Sequence, residues 1–285
     1  MNKSLNGLII ESDRTLTLHD GRTLGFAEYG QLDGNPIFYF HGHPGCRYEA
    51  RLLAKYAKQL NIRIISVDRP GLGLSSYKSG RKILDWSEDI IEFADALKIE
   101  RFAVVGFSGG GPYALACAYK IPDRLTACAV ISGVGKMSAF VSFLSLWMPW
   151  IILPLSRKMF CNIEKSKDTL LKASNHWPEV DRNCLNHTDV IDIMAISLME
   201  ALRPGFRGAA LDGGLIGKNF GFRLEDIKFP NISLWHGGMD REIPISVGRT
   251  NAEKLQTCNA RFFPEEGHIS LIVNHGKEIL ADLIS

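Results

Sequence analysis

One short turn limits the fold of this chain more than any other segment. Residues Gly106 to Gly110 place a serine between glycines two positions away on either side, after an apolar run, Arg101 to Val105, and before a run with helical spacing, Gly111 to Lys120. This pattern is typical of a sharp turn from a buried strand into a helix. Side chains at positions 106 and 110 would hinder the close approach of the two elements. The sequence therefore predicts that Ser108 is held in a strained conformation above a sheet edge.

The chain on either side of this turn alternates between short apolar runs and amphipathic runs. The predicted strands are 14–18, 23–28, 36–40, 62–67, 101–105, 126–131, 231–236 and 260–263, and the predicted helices are 48–60, 85–97, 111–120, 244–254 and 270–283. The Asp20-Gly21 pair joins the first two strands as a hairpin turn. This order predicts an α/β fold with a mostly parallel sheet and helices on both faces.

The alternation stops between residues 134 and 221. No strand candidate occurs there, and helical segments are separated by breakers at Pro149, Pro154, Pro178, Pro204 and Gly213-Gly214. We therefore predict an α/β core made of residues 1–133 and 222–285, with residues 134–221 inserted as a helical cap, or lid.

The stretch Met137 to Leu155 has no charged residue and is long enough to span a membrane. Pro149 and Pro154 interrupt it, which argues against one continuous helix. We expect it to be a lid whose apolar face covers a pocket. Peripheral membrane contact by the cap stays open as an alternative, because exposed apolar patches often mark binding surfaces.

Composition excludes several classes of function. The net charge is +2 and no basic stripe with interleaved aromatic residues occurs, so we predict no nucleic-acid partner. The six cysteines form neither a CxxC pair nor a zinc-like cluster, so we predict no metal site and reduced, structural thiols. Cys46 alone follows the loop His41 to Gly45, which is a candidate part of an active site, and the role of Cys46 is left open. The start of the chain is polar, without an apolar signal segment, so we expect a cytoplasmic protein.

A serine hydroxyl is a weak nucleophile and needs a neighbouring base. His268 is the best candidate because it follows the last predicted strand and precedes the last helix. A carboxylate must orient that histidine, and Asp240 follows the preceding strand at a glycine-rich turn. The chain order Ser108, Asp240, His268 is the one associated with this type of turn. Glu242 is the nearest competing carboxylate.

The oxyanion of a tetrahedral intermediate needs two N–H donors. We predict that they are the backbone N–H groups of Gly109 and His43, the latter in a loop, His41 to Gly45, that follows a strand. His41 is interpreted as a structural residue beneath this loop. The residues predicted to line a substrate pocket are the side chains of His43, Phe107, Phe143 and Trp147.

Five segments together resemble the α/β-hydrolase superfamily. They are 41–45, 68–75, 106–110, 236–240 and 267–268. The resemblance covers about residues 15–132 and 229 to the end. It implies an eight-stranded sheet with a helical cap after the sixth strand. It also implies that Asp68 and Arg69 are scaffold residues behind the turn that carries Ser108. It also makes haloalkane dehalogenase and epoxide hydrolase activities unexpected, because those relatives carry aspartate where this chain has Ser108.

The leading hypothesis is a serine hydrolase that cleaves a carboxylic ester, thioester or lactone through an acyl-enzyme on Ser108. It needs no cofactor, and its substrate is a small molecule with an apolar acyl or aromatic group. One alternative is a hydrolase-like signal receptor or regulatory partner with little turnover. A second is a proline-iminopeptidase-like aminopeptidase, although those enzymes carry glycine at the position of His43. A third is cofactor-free oxygenase or lyase chemistry with a passive serine.

Overall fold

The sheet follows from the alternation of apolar runs in the sequence. A computed structural model describes residues 13–135 and 162–285. The strands are β1 (Arg14–Thr17), β2 (Thr23–Gly30), β3 (Asn35–Phe40), β4 (Ile62–Val67), β5 (Phe102–Phe107), β6 (Leu125–Ile131), β7 (Ile232–Gly237) and β8 (Cys258–Phe263). They form one eight-stranded sheet in the order β1-β2-β4-β3-β5-β6-β7-β8. The β1–β2 hairpin and the β2–β4 pair are antiparallel and all other pairs are parallel, which confirms the predicted α/β fold.

The described helices account for the amphipathic runs. They are α1 (Ala54–Gln59), α2 (Asp85–Ala96), α3 (Gly111–Lys120), α4 (Ile163–Ala173), α5 (Glu179–Leu185), α6 (Thr188–Ala201), α7 (Phe206–Ile216), α8 (Ile245–Lys254) and α9 (His268–Asp282). Helices α4 to α7 lie in sequence between β6 and β7, and no strand occurs between residues 162 and 231. Among the helices in the described segments, none combines the length and apolar character of a membrane span.

Both faces of the sheet are covered at its centre, which explains why central strands such as β5 are continuously apolar. In β5, Val104 packs with Trp86 and other residues of one cluster. Its neighbour Val105 packs on the opposite face with Ile272 and other residues of a second cluster. The carboxyl ends of the central, parallel strands lie at one edge of the sheet. The apolar clusters on the two faces hold these strands in place.

Most element boundaries differ from the predicted ones by a few residues, and two of these differences bear on the site. Strand β5 extends to Phe107, so it reaches the residue directly before Ser108. Helix α9 begins at His268 rather than at residue 270, so the histidine is the first helical residue and does not lie in a loop. The earlier start depends on hydrogen-bond acceptors that are distant in sequence, and these are described below.

Candidate active site

The turn after β5 has the strained geometry that the sequence predicts. Ser108 has φ +52°, in the left-handed region that costs a non-glycine residue about 1–3 kcal/mol. A Cβ atom at Gly106 would lie 2.3 Å from the carbonyl oxygen of Gly110. A Cβ atom at Gly110 would lie 2.0 Å from the carbonyl oxygen of Phe40. Both glycines are therefore required by backbone contacts.

The structure brings His268 and Asp240 together. Nδ1 of His268 lies 2.7 Å from Oδ2 of Asp240. The other carboxylate oxygen, Oδ1, accepts hydrogen bonds from the N–H groups of Glu242 and Ile243 at 2.9 and 2.8 Å. The competing carboxylate of Glu242 instead contacts His176 and Trp177. Asp240 is thus fixed by its own loop, with one oxygen left for the imidazole.

Burial and hydrogen bonding act in opposite directions on this pair. Burial acts to raise the pKa of Asp240, but the hydrogen bond and charge of His268 together with the N–H of Ile243 outweigh it, and the pKa lies below its ordinary value. Burial acts to lower the pKa of His268, but the hydrogen bond and charge of Asp240 outweigh it and the pKa lies above its ordinary value. The pair is therefore arranged to stabilise an imidazolium.

The His268 ring lies beside the turn that carries Ser108. Its centroid is 5.0 Å from the ring centroid of Phe107, and the planes are tilted by 44°. Phe107 is buried, and its ring also approaches Gly42 in the predicted oxyanion loop. The phenyl ring thus packs between the loop and the imidazole. The other two predicted pocket residues, Phe143 and Trp147, lie outside the described residues.

The two predicted oxyanion donors lie next to each other. A Cβ atom at Gly109 would lie 2.7 Å from Cβ of His43 and 3.2 Å from its backbone nitrogen. The N–H of His43 donates no hydrogen bond within the part of the chain that the structure describes. The N–H of Gly109 is at a helix start, where donors lack intrahelical partners. These two groups can converge on one oxygen.

The loop around Gly42 is held from beneath by buried groups. Arg69 donates to the carbonyl oxygens of His41 and Gly42, and its N–H donates to Nε2 of His41 at 3.2 Å. Nδ1 of His41 in turn lies 2.8 Å from the Gly42 carbonyl oxygen. His41 is fully buried, in agreement with a structural role. Asp68 is also buried and accepts from the N–H groups of Arg47 and Leu74.

Glu49 begins a short 3-10 helix, Glu49–Leu53, after this loop, and it is a buried contact of the loop that was not predicted from the sequence. Its Oε1 accepts the Gly42 N–H at 2.7 Å and the Tyr39 hydroxyl at 2.9 Å. Burial raises the pKa of Glu49 to about 7, against the lowering effect of these hydrogen bonds. No local motif distinguishes Glu49 from an ordinary helical surface glutamate, so only the fold shows its position.

Asp212 in α7 is the second missed residue. Its fully buried carboxylate lies 2.8 Å from Nη2 of Arg69 and 3.0 Å from Nδ1 of His43, and it also accepts from Arg81 and the hydroxyl of Tyr113. Burial acts to raise the pKa of Asp212, but the charges of Arg69 and Arg81 hold it well below its ordinary value. The signal in the sequence is slight: Asp212 is the one acidic residue of a glycine-rich helix whose only other charged residue is Arg207.

Replacing Asp212 by alanine should destabilise the fold. Removing one partner of a buried ionic cluster leaves unpaired charges, so we expect the free energy of unfolding to fall by about 3–5 kcal/mol at neutral pH. Because the pKa of Asp212 is depressed, its contribution is present at neutral pH and is lost only as acid protonates it. Urea denaturation measures this change. The exposed Asp168 of α4 is the matched control, and Asp168→Ala should change stability by less than about 0.5 kcal/mol.

The thiol of Cys46 is fully buried, and burial raises its pKa well above the ordinary value. A thiol in this state is a poor nucleophile.

A surface cavity of about 850 Å³ lies between β1 and α2, and none of Ser108, Asp240 and His268 lines it.

The sequence matches known hydrolases. A family profile for the α/β-hydrolase fold matches residues 35–158. The chain is 36% identical over 223 residues to RutD of Caulobacter sp. (strain K31), whose name describes a carbamate hydrolase, and the match covers 73% of this chain and 74% of that protein. It is 27% identical over 252 residues to the 2-hydroxymuconate semialdehyde hydrolase of Pseudomonas putida, covering 84% of this chain and 83% of that enzyme.

The fold also matches solved structures. The enol-lactonase from Burkholderia xenovorans LB400 superposes with a TM-score of 0.74 at 18% identity, covering 95% of this chain and 99% of that one. At this identity the similarity bears on the fold alone. The match to RutD over about three quarters of both chains bears on the family. The chain therefore belongs to the α/β-hydrolase superfamily and is a hydrolase of that fold.

Proposed function

We propose that the protein is a serine hydrolase that cleaves a carboxylic ester or lactone through an acyl-enzyme on Ser108. The observation that carries the proposal is the 2.7 Å contact between His268 and Asp240, formed beside the strained turn that presents the serine. Nucleophilic acyl transfer by a serine requires an imidazole oriented by a carboxylate, and Asp240 and His268, which are distant in sequence, form such a pair.

In this mechanism Asp240 holds the proton on Nδ1 of His268, so that Nε2 is free to accept the proton of Ser108. The serine oxygen attacks the substrate carbonyl carbon, and the N–H groups of His43 and Gly109 stabilise the resulting oxyanion. The imidazolium then returns its proton to the leaving alcohol, and the acyl group remains on Ser108. A water molecule, deprotonated by His268, hydrolyses the acyl-enzyme and restores the free serine.

Carbamate hydrolysis is the second candidate, favoured by the match to RutD over 73% of this chain. The same carbonyl attack applies to a carbamate, with a nitrogen or oxygen leaving group. Esters remain the first choice because an alkoxide is the better leaving group and asks less of the general acid. We expect the substrate to be small and apolar, with no requirement for a cofactor.

A labelling experiment tests the proposal. A fluorophosphonate should modify the protein at one site, and peptide mapping should place the adduct on Ser108. Activated esters of short, medium and aromatic acyl groups, a lactone and an aryl carbamate should then be compared by kcat/KM. Labelling of Ser108 with negligible turnover of all of them would favour a receptor, and absence of labelling with full ester turnover would contradict the acyl-enzyme.

The pH dependence of kcat/KM should have one acidic limb set by His268. Below its pKa the imidazole is protonated and cannot accept the serine proton, so activity rises with pH. Since the pKa of His268 is raised, the midpoint should lie above about 6.5, the value for a free histidine. A neutral activated ester assayed from about pH 5 to 9 measures this limb. Activity that increases on acidification would contradict the role of His268 as a general base.

A further inference from the structure

One carboxylate of the predicted cap reaches the end of the helix that carries His268. Oδ2 of Asp181 accepts the N–H of His268 at 2.8 Å. Its Oδ1 accepts the N–H groups of Ile269 and Ser270 at 3.0 and 2.8 Å. Asp181 belongs to α5 and is only 1% exposed, although it is 87 residues away from His268 in sequence.

Helix α9 needs this partner because its own sequence does not supply one. The first N–H groups of a helix have no intrahelical acceptor, and a side chain at the preceding residue normally caps them. That residue is Gly267, which has no side chain. The hydroxyl of Ser270 accepts the N–H of Gly267 at 2.7 Å, so it does not cap the next three groups. Asp181 therefore satisfies the donors of the turn that bears the catalytic base.

The space for the Asp181 carboxylate depends on Gly267. A Cβ atom at Gly267 would lie 2.2 Å from Oδ2 and 2.4 Å from Cγ of Asp181. Any side chain at this position would displace the carboxylate. Around this contact, Cys184 and Leu185 of α5 share one apolar cluster with Ile269 and Ile272 of α9. The Asp181 carboxylate therefore lies in a buried space that residues of both α5 and α9 form.

We propose that Asp181 is a positioning residue for His268, through which the seating of α5 on the core sets the orientation and basicity of the catalytic imidazole. This inference rests on the proposed role of His268 as general base. Three hydrogen bonds to consecutive N–H groups fix the helix start, and hence the direction of the first side chain. The negative charge is also favourably placed at the positive end of the helix dipole and close to an imidazolium.

Several charged or titratable groups interact electrostatically with the His268 imidazole. Asp240, Glu242 and Asp181 favour its protonated form. Glu49, in the 3-10 helix after the oxyanion loop, and His236, in β7, also interact with it. Asp181 is the one of these that also holds the backbone of His268. Removing the charge of Asp181 should shift the titration of His268. Removing its hydrogen bonds to the start of α9 should reduce turnover.

The test uses Asp181→Asn, which keeps the size of the side chain but loses its charge and presents an amide to N–H donors. We expect kcat for an activated ester to fall about 10- to 100-fold with KM changed by less than about threefold. The acidic limb should move to lower pH by about 0.5 unit. The conservative Asp181→Glu should retain the wild-type limb and recover part of kcat. Glu179→Gln removes an exposed charge from the same helix and should behave as wild type.

A histidine NMR titration separates this inference from the proposed function because it needs no substrate. Should Ser108 labelling fail in the wild-type protein, a shifted His268 titration in Asp181→Asn would still support the contact. Asp181→Ser, which keeps one acceptor without a charge, serves if Asp181→Asn does not fold. A wild-type His268 titration together with activity lost only in proportion to the folded fraction would overturn the proposal.

Discussion

Ser108→Ala should reduce kcat for ester hydrolysis by about 10⁶, because the nucleophile is lost and the remaining groups act as a unit with it. Substrate binding should change little, since the hydroxyl contributes mainly after attack begins. Fluorophosphonate labelling should disappear as well. Stopped assays with a high enzyme concentration measure the residual rate, and isothermal titration with a slowly hydrolysed ester measures binding.

Ser108→Gly is the companion variant and makes the strain measurable. Ser108 has φ +52°, which glycine adopts without the cost that other residues incur. We therefore expect Ser108→Gly to be equally inactive and more stable than Ser108→Ala by about 1 kcal/mol or more. Turnover of either variant within tenfold of wild type would show that another group is the nucleophile.

Asp240→Asn should reduce kcat by about 10⁴, the loss known for this substitution in the Ser-His-Asp template, with the fold intact. The geometry indicates that this substitution changes the tautomer of His268 without disturbing the loop around residue 240. Oδ1 of the new side chain can still accept the N–H groups of Glu242 and Ile243. The amide nitrogen would then face Nδ1 of His268 as a donor, so the ring would carry its proton on Nε2. In that tautomer the imidazole cannot accept the proton of Ser108.

Glu242→Gln is the control for this prediction because Glu242 lies two residues away and contacts His176 and Trp177. We expect its kcat to remain within about fivefold of wild type, because removal of a partly exposed charge has a small effect. Circular dichroism and thermal unfolding should confirm that both variants are folded. If Glu242→Gln were the more damaging of the two, Asp240 would not be the orienting carboxylate.

The fold could be predicted from the sequence because its signals are local. Strand β4 has the predicted bounds, Ile62–Val67. Four of its six residues are isoleucine or valine, which favours a strand covered on both faces over a helix. The turn at Ser108 is recognisable because Gly106 and Gly110 flank the serine at equal spacing, and backbone atoms leave no room for a Cβ atom at either position. His268 and Asp240 could be chosen by their positions after β8 and β7, and the structure places them 2.7 Å apart.

The groups that support the site could not be predicted in the same way. Asp181, Asp212 and Glu49 gain their roles from partners that are far away in sequence or in another layer of the fold. Each is an acidic residue on a helix, where the ordinary expectation is a solvated face. The early start of α9 was missed for the same reason, because Asp181 supplies acceptors that residues near His268 do not.

The two buried carboxylates of the predicted cap restrict how related enzymes could be recombined. Asp181 requires a glycine at 267, and Asp212 requires arginines at 69 and 81. A chimera that receives the lid of a homologue as a cassette would therefore inherit mismatched charges unless these core positions were transplanted with it. Altering substrate preference by lid exchange should accordingly succeed only between donors that share all five positions, and directed libraries should keep them constant.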